Sequence, residues 1–94
     1  MLKKVKFVEE AALEFQDSVE WYESKVAGLG LDFASEISNA IEKIMINPDM
    51  YFHVIENIRR IQVKKFPYSI FYTKENETMV ILRVFHNKRN PIKW

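Results

Sequence analysis

Arg83, His86, Arg89 and Trp94 crowd the end of the chain, which reads Arg83-Val84-Phe85-His86-Asn87-Lys88-Arg89-Asn90-Pro91-Ile92-Lys93-Trp94. An imidazole carries a proton near neutral pH, and a guanidinium is a permanent cation with a planar set of donors. At the end of an apolar strand such groups can meet a phosphate or a carboxylate. Alternation places Arg60, Lys64 and Arg83 on one sheet face, where together they could hold a backbone phosphate. Cleavage of RNA through its 2′-hydroxyl needs a base, an acid and cations for the developing charge. His86 is the natural proton carrier for that chemistry, and Tyr72 could stack a base or donate a proton. Parity raises an obstacle: His86 leaves the strand on the same side as Val84, so it reaches the Arg83 face only through a bulge or bend. The same residues could instead be contacts without proton chemistry, because Trp and Arg are common interface anchors. Plainer roles also exist: a hydrogen-bonded structural His86, and a solvated strand edge at Lys64-Lys65 that discourages aggregation. His53 has no second ligand at metal-site spacing, and neither a metal nor any other cofactor is expected.

Composition bounds the rest. Ninety-four residues make one domain, residues 1–94, and a 48% hydrophobic content is that of a folded protein. The absence of Cys excludes disulfides and thiolate metal sites. No apolar run approaches the roughly 20 residues of a membrane span. Glu9-Glu10 interrupts Phe7-Val8 too early for a signal peptide. A soluble, cytoplasmic protein with no membrane partner is therefore expected. The net charge of +1 conceals an asymmetry: residues 1–50 carry five Lys and ten Asp or Glu, residues 51–94 nine Lys or Arg and three Glu. The basic half points to an anionic partner, unless the two halves simply attract each other.

The elements that must position these residues follow from periodicity. Leu2 to Val8 alternates as a strand with Val5 and Phe7 inward. Ala12, Phe15, Val19, Tyr22 and Val26 step by three and four, the face of a helix from Glu9 to Val26. Glu9, Glu10 and Glu14 suit the positive end of its dipole. Gly28-Leu29-Gly30 reverses the chain. A second helix runs from about Leu31 to Ile46, with Phe33, Ile37, Ala40, Ile41 and Ile44 as its stripe, and Asn47-Pro48 ends it. Residues 49–57 read as a connector. From Ile58 the period becomes two, with Ile61 and Val63 opposite Arg60, Gln62 and Lys64, until Phe66-Pro67 ends the strand. Strands at 68–73 and 78–85 flank a turn at 74–77. Val80, Leu82 and Val84 are placed against the helices, with Met79, Ile81, Arg83 and Phe85 opposite. The order β-α-α-β-β-β predicts an α+β domain, a helical hairpin packed on one face of a small, mainly antiparallel four-stranded sheet.

Several segments together resemble one family. They are Trp21-Tyr22, Gly28-Leu29-Gly30-Leu31-Asp32-Phe33, Asn47-Pro48, Ile58-Arg59-Arg60, Phe66-Pro67-Tyr68-Ser69-Ile70-Phe71-Tyr72, and Val84-Phe85-His86 with Arg89, Pro91 and Trp94. Their order and spacing are similar to RelE/ParE-superfamily toxins of type II toxin–antitoxin systems, nearer the ParE (plasmid-stabilisation) branch, over essentially the whole chain. Val8 departs from the helix-capping Ser usual there, and Asn90 from the Asp usual before the Pro.

The resemblance implies a bacterial growth-inhibiting toxin neutralised by a cognate antitoxin. Two targets stay open. ParE-type relatives poison DNA gyrase, and here Arg59, His86, Arg89 and Trp94 would be the contacts. RelE-type relatives are metal-independent, ribosome-dependent mRNA endonucleases (mRNA interferases), and here Arg60, Lys64, Arg83 and His86 would be catalytic. An inactive relative that only binds antitoxin is the third possibility. An amphipathic, partly acidic antitoxin segment is expected to meet Trp21, Arg59, Arg60, Lys64, Phe66, Tyr68 and Tyr72.

Overall fold

Seven elements follow one another in residues 2–88, the part of the chain that the computed structural model describes. They are β1 (Lys4–Phe7), α1 (Glu9–Lys25), α2 (Leu29–Ile46), β2 (Phe52–Ile55), β3 (Ile58–Gln62), β4 (Tyr68–Glu75) and β5 (Thr78–His86). The strands form one sheet in the order β1-β5-β4-β3-β2. β1 runs parallel to β5, and the other neighbours are antiparallel. The α1–α2 hairpin packs on one sheet face, so the expected α+β architecture holds with five strands rather than four. The additional strand, β2, lies in the stretch read as a connector. It is a short edge strand, Phe52 and His53 pairing with Arg60 and Arg59, and its register slips between His53 and Ile55. Phe52 and Ile55 are exposed, so no alternation of burial marked it.

Helix α1 starts without a side-chain cap. Val8 is extended there; its N–H donates to the Ile81 carbonyl and its carbonyl accepts from the Ala12 N–H. Glu9 and Glu10 complement the dipole in the first turn. The buried face is Ala11, Phe15, Ser18, Val19 and Tyr22, whereas Ala12 and Val26 are exposed. The hairpin depends on two glycines. Gly28 sits at φ 88°, where a side chain is strained. A Cβ on Gly30 would lie 2.6 Å from the Val19 carbonyl oxygen, so that residue sets how closely the helices approach. The Glu23 carboxylate accepts the Gly28 and Gly30 N–H groups, each at 2.9 Å, and thereby caps α2 from the neighbouring helix.

The core lies between the layers. Phe33, Ile37, Ala40 and Ile44 of α2 meet Ile61, Val63, Tyr68, Ile70, Tyr72, Met79, Ile81 and Val84 of the sheet side. Phe7 packs against this core, but Val5 is exposed. One expectation about β5 is corrected. Met79 and Ile81 face the helices, and Val80 and Leu82 do not. The cause is a bulge: Tyr72 pairs with Ile81 but Phe71 with Arg83, so Leu82 is the extra residue. The bulge inverts parity, which returns Val84 to the helix side beyond it.

Candidate functional site

The bulge and the end of β5 build a cleft against α1. β1 accompanies β5 only from Thr78 to Ile81, so the edge of β5 is uncovered by any strand thereafter. Glu14 of α1 fills that role: its Oε1 accepts the Val84 N–H at 2.9 Å. The same carboxylate grips the Arg83 guanidinium, with Nε at 3.1 and 3.0 Å and Nη2 at 2.5 Å. Glu10, one turn earlier, adds a second carboxylate at 2.9 Å from Nε. These partners raise the Arg83 pKa above its ordinary value: the Glu14 hydrogen bond contributes most, burial opposes it, and the Glu14 and Glu10 charges reinforce it. Arg83 is thus a fixed cation already spent on internal anions.

Around this clamp opens a cleft of about 400 Å³, lined by Glu14, Asp17, Ser18 and Trp21 of α1 and by Arg83, Val84, Phe85 and His86 of β5. Trp21 is 51% exposed, and the Lys25 ammonium lies 5.1 Å from its ring centroid. His86 leaves β5 on the helix side, as its parity with Val84 requires. Its ring stands edge-on to Tyr68 at 5.0 Å, and its Nδ1 accepts the Lys88 N–H at 3.2 Å. Beneath it the Tyr68 hydroxyl donates to the buried Ser18 Oγ at 3.0 Å, which fixes the floor.

The other predicted residues do not converge on this cleft. Arg60 lies on the open sheet face, its guanidinium 5.2 Å from the Phe52 ring centroid. Lys64 lies beside the outer flank of α2, near Glu36, Asn39 and Glu42, because the chain has left β3 at Gln62. With Arg83 held by α1, the shared phosphate platform of Arg60, Lys64 and Arg83 is not formed. Arg59 lies on the helix side, donating from Nη1 to the Tyr51 carbonyl at 2.8 Å. It lines a separate cleft of about 250 Å³ with Asp49, His53, Tyr72 and Lys74. There the Lys74 ammonium holds the Asp49 carboxyl below its usual pKa through a hydrogen bond, despite a small opposing desolvation.

Two tyrosines expected at the surface are core residues, Tyr68 at 2% and Tyr72 at 1% exposure, and neither is available to an antitoxin or a base. The Tyr72 hydroxyl donates to the Pro48 carbonyl at 2.6 Å. Burial pushes its pKa up to about 12 although Arg59 pulls the other way, which makes it a weaker acid than a free tyrosine and keeps the hydroxyl protonated near neutral pH. Phe66 is half-buried against Tyr22 and Phe33. Arg89 and Trp94 lie outside the described residues. Among the described residues no group of three or more His, Asp or Glu side chains could hold a metal ion. No helix among them is long and apolar enough to cross a membrane.

Sequence reasoning missed Glu10, Glu14 and Asp17 as site residues. The signal was present: Glu10, Glu14, Asp17 and Trp21 are spaced by four, three and four, which is one face of a helix. It was obscured because acidic residues early in a helix also serve the dipole.

The family described as the ParE toxin of type II toxin–antitoxin system, parDE, matches residues 5–91. Among solved structures, the chromosomal ParDE TA system from P. aeruginosa superposes with a TM-score of 0.74 at 14% identity, covering 90% of this chain and 96% of that one. That likeness speaks for the fold. No curated protein matches the chain in sequence.

Proposed function

Because the chain belongs to the ParE toxin family of type II toxin–antitoxin systems, we propose that it arrests bacterial growth by gripping a protein target, DNA gyrase, and that it does not cut RNA. The observation that carries this reading is the state of Arg83. The cation that a cleavage site would aim at phosphate is instead bound by Glu14 and Glu10, while Arg60 and Lys64 stand elsewhere. The α1–β5 cleft suits a protein contact better. It combines a half-exposed Trp21 with His86, Phe85 and fixed charges, the mixture typical of interface anchors. Arg89 and Trp94, next in sequence, are proposed as further target contacts, and Arg59 as a contact at the second cleft. A cognate antitoxin would neutralise the chain by docking an amphipathic segment at Trp21 and Phe66. Arg60 and Lys64 lie on different sides, so only a segment that wraps the domain would meet both.

Induced expression in a bacterial host tests the reading with two measurements, double-strand DNA breaks that depend on gyrase and the integrity of translated messages. Breaks with intact messages are expected, and Trp21→Ala and His86→Ala should relieve growth arrest. Message cleavage that disappears in His86→Ala and Arg83→Ala would overturn it in favour of the nuclease. Co-expression of a short neighbouring reading frame with an amphipathic C-terminal region should restore growth.

A further inference from the structure

We infer that Glu14, seconded by Glu10, decides which class of partner the α1–β5 cleft accepts: it closes the cleft's guanidinium to phosphate and restricts the partner to a protein surface. The inference rests on reading this cleft as the working surface. Glu14 engages Nε and Nη2 of Arg83 together, the two-pronged arrangement a phosphate would use. Glu10 occupies Nε as well. Glu14 is itself anchored, since its Oε1 accepts the Val84 N–H. An incoming oxyanion would have to displace that carboxylate and strand a backbone donor, which is costly where water is partly excluded. Asp17, on the same wall, engages none of the described side chains and adds a third negative charge. Among the described residues a phosphate therefore meets Glu10, Glu14 and Asp17 around a single guanidinium, an excess of negative charge that the Lys25 ammonium beside Trp21 offsets only in part, and repulsion acts before contact. Trp21 and Phe85 line the same cleft and offer apolar surface that suits apolar or neutral groups of a protein.

The test uses the full chain labelled with ¹⁵N and titrated at low salt with inorganic phosphate and with tetrauridylate RNA. Wild type is compared with a Glu10→Gln/Glu14→Gln variant and with the same variant carrying Arg83→Gln. Glutamine keeps the shape and can still accept the Val84 N–H. In wild type the amides of Val84, Phe85 and His86 should not shift saturably. The double variant should bind tetrauridylate at least about tenfold more tightly, the gain expected from freeing one charge-assisted pair. Adding Arg83→Gln should abolish the gain. Wild type that already binds RNA through these amides as tightly as the double variant would overturn the inference, as would a folded double variant with no gain. If the double variant lacks a native spectrum, Glu14→Gln alone, whose amide oxygen can still accept the Val84 N–H, should tighten binding measurably, and an unchanged affinity of the folded single variant overturns the inference equally. The target question is separate: a wild type blind to phosphate that also fails to break DNA through gyrase would sink the target reading and leave the role of Glu14 standing.

Discussion

Tyr72 shows at the scale of one residue how burial decides chemistry. Its ring lies in the core and its hydroxyl is committed to the Pro48 carbonyl. A group whose folded pKa is raised to about 12 from 10.0 keeps its full contribution below pH 10. Above that, the unfolded chain ionises first, so stability is lost as pH rises from 10 through 12. Denaturant melts across this window should therefore show wild type losing more stability than Tyr72→Phe. Tyr68→Phe should cost about 1 kcal/mol, because it removes the donor to the buried Ser18 Oγ; urea unfolding measures it. Both tyrosines looked available in the sequence because β4 is buried on both faces from Tyr68 to Tyr72, so no alternation distinguishes core from surface.

At the scale of elements, the α1–α2 hairpin and the β5 bulge shape the site, and they differ in how legible they were. Gly28 and Gly30 announced the reversal, although α2 begins at Leu29, earlier than its apolar stripe implied. Gly30→Ala should destabilise by about 2–3 kcal/mol, since the new Cβ meets backbone at the Val19 carbonyl. Glu23→Ala should cost about 1 kcal/mol by leaving the Gly28 and Gly30 N–H groups uncapped. Equilibrium denaturation of the two variants would separate close packing from capping. The bulge left no mark in the sequence. Thr78 to His86 contains apolar residues in both parities, and only pairing with β4 reveals Leu82 as the extra residue.

In the whole molecule, among the described residues, the charge asymmetry is satisfied internally in part, by Lys65, Lys74 and Arg83 of the basic half. Lys3 pairs with Glu77, Lys65 with Glu36, Lys74 with Asp49, and Arg83 with Glu10 and Glu14; each of these pairs joins residues 1–50 to residues 51–94. The plain reading of the two halves as mutually attracting accounts for Arg83 in what looked like a platform for an anionic partner, whereas Arg60 and Lys64 are separated by their places in the fold. Exposed pairs of this kind stabilise little individually, and the shared core is the dominant bond between the layers. A single core implies a single transition. Far-UV circular dichroism and near-UV signals from Tyr68 and Tyr72 should report the same denaturation midpoint, and separated midpoints would mean that hairpin and sheet unfold independently.

Periodicity and turn chemistry are local properties, so the sequence by itself determined the helical hairpin, the meander, the two-layer architecture and that His86 shares a side with Val84; that this side faces α1 was decided by the bulge at Leu82. Which carboxylate meets which cation is a long-range matter. Arg83 and Glu14 stand 69 positions apart, and their contact exists only because β5 loses its neighbour strand beyond Ile81 and α1 takes its place. Only the tertiary structure could decide that, because an unpaired β5 edge, a bulge and a helix face have to arrive at one point before Arg83 is neutralised.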